Sequence, residues 1–371
     1  MTVKAGDIFR LLEHLAPLDL AESWDNCGLQ VGSRDKDVKS ILVVLDIDEV
    51  AVKEACGSKV DLIVSHHPLF FKGINRIDYS DSQGQLIRDL VQQDITVYSA
   101  HTNLDSAPQG LNEYLAKKFA LQNIRPLGVV KQEELFKLVV FVPADHIEEV
   151  RKAVCDAGAG HIGNYSDCSF RVLGTGTFKP LEGTSPYLGK TGVLEDAEEF
   201  RLETIVTKRI MKSVINKMIE AHPYEEVAYD LFPLAIDGPT FSYGRVGELV
   251  RPMKLDTLVR KIKETLGLES IRYIGRTDAM LRKVAVVSGS GASMIPQALR
   301  EGCDVLITGD IKYHEAKAAA DSGLALIDAE HDGLELVVEE LLLEYLQKAI
   351  KIAGWKTRIN RLNARPIFCH L

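Results

Sequence analysis

Two stretches far apart in the chain follow one plan, and that repetition narrows the fold more than any other feature. SILVVLDIDEVAVKEACGSKVDLIVSHHP, from Ser40, reads as strand, turn, helix and strand; KVAVVSGSGASMIPQALREGCDVLITGD, from Lys283, reads in the same order. The aliphatic runs in both are too continuous to leave a solvated face, the pattern of strands buried on both sides in a parallel sheet. Asp61-Leu62-Ile63-Val64-Ser65 aligns with Asp304-Val305-Leu306-Ile307-Thr308, so His66 and His67 fall opposite Gly309 and Asp310. Each stretch continues through a helix, around residues 85–92 and 313–320, into a further strand: ITVYSAHTNLD from Ile95, and LALIDAEHDGLE from Leu324. Strands alternating with helices predict βαβ units and largely parallel sheet. The expected fold class is α/β, with two similar half-repeats facing a metal cleft at the carboxyl ends of their strands, where open α/β sheets gather ligands.

Residues 130–243 follow a different plan. LFKLVVFVPADHIEEVRKAVCDAG reads as strand then helix, with Pro143 and Asp145 at the turn. CSFRVLGTGTF and RLETIVTKRIMKSVINKMIEAHPYEEVAYDLFPL then give strand, strand, helix and strand. The order β-α-β-β-α-β is the ferredoxin-like one. The outer segments complete each other without it. The expected organisation is therefore one α/β domain of residues 1–129 and 244–371, interrupted by an inserted α+β domain of residues 130–243. The loop GTSPYLGKTG carries no recognisable site, and HPYEEV from His222 reads as a helix-to-strand corner.

Several classes are disfavoured. The opening segment MTVKAGDIFRLLEHLAPLDL is broken by Asp7, Arg10 and Glu13, which predicts an amphipathic helix burying Ile8, Leu11, Leu12 and Leu15 rather than a signal peptide. No apolar run approaches the length of a membrane span, so the expected location is cytoplasmic. Cys27, Cys56, Cys155, Cys168, Cys303 and Cys369 form no C-x-x-C pair, which disfavours a disulfide framework and a thiolate zinc site. A net charge of −9 without a basic block gives no footprint for nucleic acid. SGSGAS after Val287 lacks the third glycine of a dinucleotide fingerprint and reads as a tight turn. His314 reads as a partly exposed helix residue.

The chemistry concentrates at the predicted strand ends. His66 and His67 directly follow a buried strand, and neighbouring residues leaving a strand point to opposite sides, so the two imidazoles address two different atoms. Both later strands end in a histidine followed four residues on by a carboxylate, His101 with Asp105 and His331 with Glu335. Positions i and i+4 share a helix face. Taken singly, Glu335 reads equally well as a carboxylate favoured at a helix N-terminus, and Asp105 as turn chemistry ahead of Pro108 and Gly110. Their recurrence at equivalent places of two half-repeats points to metal. The candidate ligands are His66, His67, Asp105, His331 and Glu335, with His101 beside them for proton transfer. Imidazole and carboxylate without thiolate fit zinc, iron or manganese, zinc first. Five such donors exceed one catalytic zinc and suit two divalent ions per chain.

These residues carry a resemblance. Ser65-His66-His67-Pro68, His101-Thr102-Asn103-Leu104-Asp105, His331 with Glu335, and the opening Trp24-Asp25-Asn26-Cys27-Gly28-Leu29-Gln30 resemble the hexameric dinuclear-metal proteins named in bacteria GTP cyclohydrolase 1 type 2 homologues. Their eukaryotic relatives are the NGG-interacting-factor-three-like proteins. The likeness covers essentially the whole chain. Gly163-Asn164-Tyr165 and His222-Pro223-Tyr224-Glu225-Glu226 are similar to the PII- and CutA-like insert of the longer members. The resemblance implies that His66, His67, Asp105, His331 and Glu335 are the ligands, that the chain is a homohexamer, and that its substrate is a small molecule such as GTP, opened at the purine imidazole ring. Two positions depart from the pattern: Glu330 stands where a glycine is expected before the histidine, and Leu334 where a small hydroxyl residue is common. The residues themselves leave two rivals to a hydrolase, a non-enzymatic metal-binding regulator or scaffold and a metal-dependent phosphoesterase.

Overall fold

The aliphatic runs become sheet. The computed structural model describes residues 3–364 and Ile367; Cys369 and His370 lie outside the described residues. The chain divides into two compact units, one formed by Met1–Lys131 with Phe241–Leu371 and the other by Gln132–Thr240.

The larger unit is α/β with two main sheets. In the first, the strands are ordered Gly28–Val31, Thr96–Ser99, Leu62–Ser65, Ser40–Val44 and Arg358–Arg361. The three inner strands run parallel, with Ile41 opposite Leu62 and Leu62 opposite Thr96, and every residue in them is buried. Burial on both faces is why their sequences do not alternate. In the second sheet the order is Arg272–Ile274, Ala325–Asp328, Val305–Thr308, Met280–Val287, Gly244–Lys254 and Leu121–Pro126. Here too three consecutive strands are parallel, and an antiparallel strand closes the edge beside the third. The two chain segments also trade strands. Leu121–Pro126, from the first segment, pairs with Gly244–Lys254 in the second sheet, while Arg358–Arg361, from the last segment, pairs with Ser40–Val44 in the first.

One core joins the sheets. Alternate residues of the first, Val43, Val64 and Tyr98, share a buried cluster with Val284, Ile307 and Ile327 of the second. Ile8, Phe9, Leu12 and Leu15 of the helix Ala5–Leu15 and Val338, Leu342 and Leu346 of the helix Val338–Ile352 complete it. Leu11, on the expected apolar stripe, is only partly buried against it. The opposite faces pack separately, Leu42, Ile63 and Val97 under one set of helices and Ala285, Leu306 and Leu326 under another. Parallel strands buried this way all deliver their carboxyl ends to one side of a sheet, and that geometry positions the site.

The smaller unit is one antiparallel sheet ordered Tyr229–Pro233, Leu135–Pro143, Glu195–Thr207 and Ser169–Phe178. Two helices, Ile147–Asp156 and Lys208–Ala221, bury Val150, Val154, Val214 and Met218 with Leu138, Val140 and Leu202 of the sheet. Among the described residues no helix is long and apolar enough to cross a membrane.

Candidate metal centre

His66 and His67 leave the strand Leu62–Ser65 with their backbone still held, because their N–H groups donate to Val44 O and Leu45 O at 3.2 and 3.0 Å. His101 precedes, and Asp105 lies within, the short helix Thr102–Ser106 that follows the strand Thr96–Ser99. His331 and Glu335 bound a one-turn helix entered from the strand Ala325–Asp328. All six side chains therefore stand at strand ends of the larger unit. The structure brings them into one cluster.

Three imidazoles are oriented through Nδ1 so that Nε2 points inward. His66 Nδ1 donates to Ala100 O at 2.8 Å, His67 Nδ1 to Asp46 Oδ1 at 2.7 Å, and His331 Nδ1 to Asp310 Oδ2 at 2.7 Å. Carboxylate or carbonyl partners on the outer nitrogen are what fix a metal-ligating histidine. Glu335 divides its oxygens: Oε2 lies 2.9 Å from His67 Nε2 and 3.0 Å from His331 Nε2, and Oε1 lies 3.9 Å from His66 Nε2. Asp105 Oδ1 stands 3.8 Å from His66 Nε2. Donors bonded to one ion at about 2.0–2.2 Å can be at most ~4.4 Å apart, so all these separations fit shared coordination. Two groups of donor atoms, His66 with His67 and His101, and His67 with His331 and Glu335, each fall within 4.8 Å of one another.

The electrostatics suit a cation. His66 is fully buried and its Nε2 has no hydrogen-bond partner among the described residues. Burial pushes its pKa down to about 3, so it presents a neutral lone pair with nothing to receive it. Burial also opposes charge on His67, but hydrogen bonds to Asp46 and Glu335 outweigh it and raise the pKa to about 10. On His331 the bond to Glu335 leads and raises it to about 9. Burial and then the Glu335 charge raise Asp105 above the usual carboxylate range. Glu335 is lowered despite its burial, because His331 and His67 donate to it. An orphaned imidazole nitrogen, a raised carboxyl and a carboxylate gathering two imidazoliums form a set that a divalent ion satisfies.

Around this cluster stand residues not singled out by the sequence reading. Asp25 accepts from His101 Nδ1 at 2.9 Å, and from Thr102 Oγ1 and Cys27 Sγ. These bonds hold its carboxyl well below the ordinary range although burial opposes them. Ser288 donates to Asp105 Oδ1 at 2.9 Å and is itself fixed by Asn112, through the Ser288 N–H to Asn112 Oδ1 at 2.7 Å. The segment SGSGAS thus serves the site as well as the turn. Gly289, at φ +56, passes Glu335 so closely that a Cβ there would lie 2.4 Å from Oε1. The forewarning was positional, for Asp310 falls opposite His67 when the two similar stretches are aligned and Asp25 lies in the opening motif. A cavity of about 530 Å³ opens over the cluster, lined by Trp24, Phe71, Thr102, Tyr243 and the turn Ser288–Gly291, with no lysine or arginine among the described residues of its lining. His314, by contrast, is exposed.

A family model described as Duf34/NIF3 (NGG1p interacting factor 3) matches residues 3–366. A Bacillus subtilis protein named GTP cyclohydrolase 1 type 2 homolog is 41% identical over 338 residues, 91% of this chain and 91% of its own. One of the same name from Halalkalibacterium halodurans is 40% identical over 352 residues, 95% of this chain and 94% of its own. Among solved structures, a Bacillus cereus protein related to NIF3 matches with a TM-score of 0.92 at 40% identity over 100% of both chains. A Staphylococcus aureus protein matches with a TM-score of 0.78 at 30% identity over 100% of this chain and 99% of its own. With relatives this similar along nearly its whole length, and a family model that spans both segments and the stretch between them, the chain belongs to the Duf34/NIF3 family.

Proposed function

We propose that the chain is a dinuclear metal-dependent hydrolase acting on a nucleotide or a related small molecule, with zinc first among the candidate ions. The observation that carries this reading is the division of Glu335, one oxygen toward His67 and His331 and the other toward His66, whose Nε2 Asp105 also faces. In this reading His67, His331 and Glu335 would hold one ion, and His66, Asp105 and Glu335 the other. When bound, such a pair supplies Lewis acidity and lowers the pKa of water. The remaining work falls to side chains. His101, tethered through Nδ1 to Asp25, keeps Nε2 free to take and return a proton over the cluster. Trp24 and Phe71, exposed on the cavity wall, offer flat apolar surface for a heterocycle. Among the described residues the cavity lining holds no lysine or arginine, and its side-chain bases are the histidines His67, His101 and His331 of the cluster itself. The aromatic wall favours hydrolysis at a heterocycle over a phosphoesterase, and the name of the relatives, GTP cyclohydrolase 1 type 2 homolog, supports a purine substrate.

The test combines metal analysis with a nucleotide panel assayed on wild type and His67→Ala side by side. Two ions per chain and a turnover abolished by the substitution are expected, with formate rather than phosphate as the released product. One ion per chain sinks the dinuclear reading. Full metal loading without turnover of any nucleotide supports the regulator or scaffold instead.

A further inference from the structure

The smaller unit contains a cavity of about 570 Å³ that the metal chemistry does not use. It is walled by the end of the strand Ser169–Phe178, the loop 179–188 and the turn after the helix Lys208–Ala221. The size is that of a small-molecule site. Phe178 and Tyr187 flank Tyr224, their ring centroids 5.9 and 6.0 Å from it. These rings are held in place. The Tyr187 hydroxyl donates to Asp145 at 2.9 Å, and His222 accepts the Tyr224 N–H while donating to Phe141 O at 2.9 Å.

Within this apolar wall sits a carboxylate. Glu199 lines the cavity, is only 8% exposed, and accepts from the Tyr224 hydroxyl at 2.9 Å through Oε1. Among the described residues no lysine, arginine or histidine forms an ion pair with it. The neighbouring strand makes room for it, since a Cβ on Gly176 would lie 2.1 Å from Glu199 Oε2. A buried carboxylate is costly unless it is paired. Glu225 and Glu226 add two charges to the lining, against Lys179 as its one lysine or arginine among the described residues. We propose that this cavity binds a small organic cation, a primary ammonium or guanidinium on an apolar or aromatic body. The charge pairs with Glu199 Oε2, and the body lies against Phe178, Tyr187 and Tyr224, whose ring faces also attract cations.

The test uses the full, metal-loaded chain with tryptamine and agmatine as cationic probes and indole-3-propionate as an anion of similar body, read by calorimetry. Tryptamine is expected to bind once per chain, at least about tenfold more tightly than indole-3-propionate. Glu199→Gln, which keeps an acceptor for Tyr224, should weaken tryptamine by about tenfold with an unchanged melting temperature. Leu181→Lys places a cation on the exposed rim without touching the core and should weaken it several-fold, so the proposal remains testable even where Glu199→Gln misfolds. Glu335→Gln should leave tryptamine binding as it is. Failure of both cations to bind at millimolar concentration, equal binding of the anion, unchanged affinity in Leu181→Lys, or loss of binding in Glu335→Gln would each overturn it.

Discussion

His66 has the least chemical freedom of any side chain in the centre. Fully buried, neutral and donating through Nδ1, it offers a lone pair that no protein group meets. Glu335 is its counterpart, a buried anion whose oxygens face three imidazoles. Glu335→Gln is therefore expected to lower metal content per chain severely, and Glu330→Gln to leave it near wild type, as measured by plasma emission spectrometry after identical loading; equal losses would place the ligand elsewhere. Glu330 was legible in another sense, because the resemblance expects glycine there and the backbone says why: its φ is +62. Holding a non-glycine residue in that region costs on the order of 1–3 kcal/mol, while glycine's extra chain entropy returns about 0.5–1. Glu330→Gly should raise unfolding stability by about 1 kcal/mol. A drop in urea midpoint would mean that the glutamate side chain's own interactions exceed the strain.

At the scale of elements, the sequence revealed the continuous strands and hid the exchanged ones. SILVV, LIVS and VLIT are aliphatic throughout because both faces are covered. RINR and LQNIRP carry no such run, since they pair at sheet edges and are partly exposed. No periodicity marks an edge strand donated by a distant segment. The pairing of His331 with Glu335 was legible for a related reason: four apart, they meet across one helical turn at 3.0 Å. Their supporting carboxylates were not, because an aspartate after a strand has the composition of a cap. The turn after Ser40–Val44 holds one of each kind. Asp48 caps the helix Glu49–Gly57 by accepting from Ala51 N at 2.7 Å, whereas Asp46 accepts from His67. Asp48→Asn should be silent, as asparagine caps about as well. Asp46→Asn should weaken metal affinity by about 10–100-fold with little change in melting temperature, measured by competition with a chromophoric chelator. Equal affinities for the two variants would remove Asp46 from the centre.

For the whole molecule, the connections between units matter most. The larger unit leaves at Lys131 and resumes at Phe241, and Val130 N donates to Phe241 O at 2.9 Å, so its two free ends are adjacent. Adjacent ends need only a short bridge. Replacing residues 132–240 by a brief Gly/Ser linker is expected to leave a folded, metal-binding protein with cooperative thermal unfolding; an insoluble product with every linker tried would make the smaller unit part of the main core. The smaller unit has its own unfinished business at the strand Ser169–Phe178, which ends its sheet. Phe170 and Val172, alternate residues and so on one face, are 66% and 51% exposed. An edge with exposed apolar side chains invites another chain, and we propose that a second copy of this one, in closed symmetry, covers it. We expect the wild type to sediment as a homohexamer at low micromolar concentration, and Phe170→Glu with Val172→Glu to give a smaller species that keeps its metal, because the substituted side chains already face solvent within the chain. A monomeric wild type would defeat the assembly. A double variant that remains hexameric would move the contacts to the larger unit, and the variant lacking residues 132–240 should then sediment as a hexamer too.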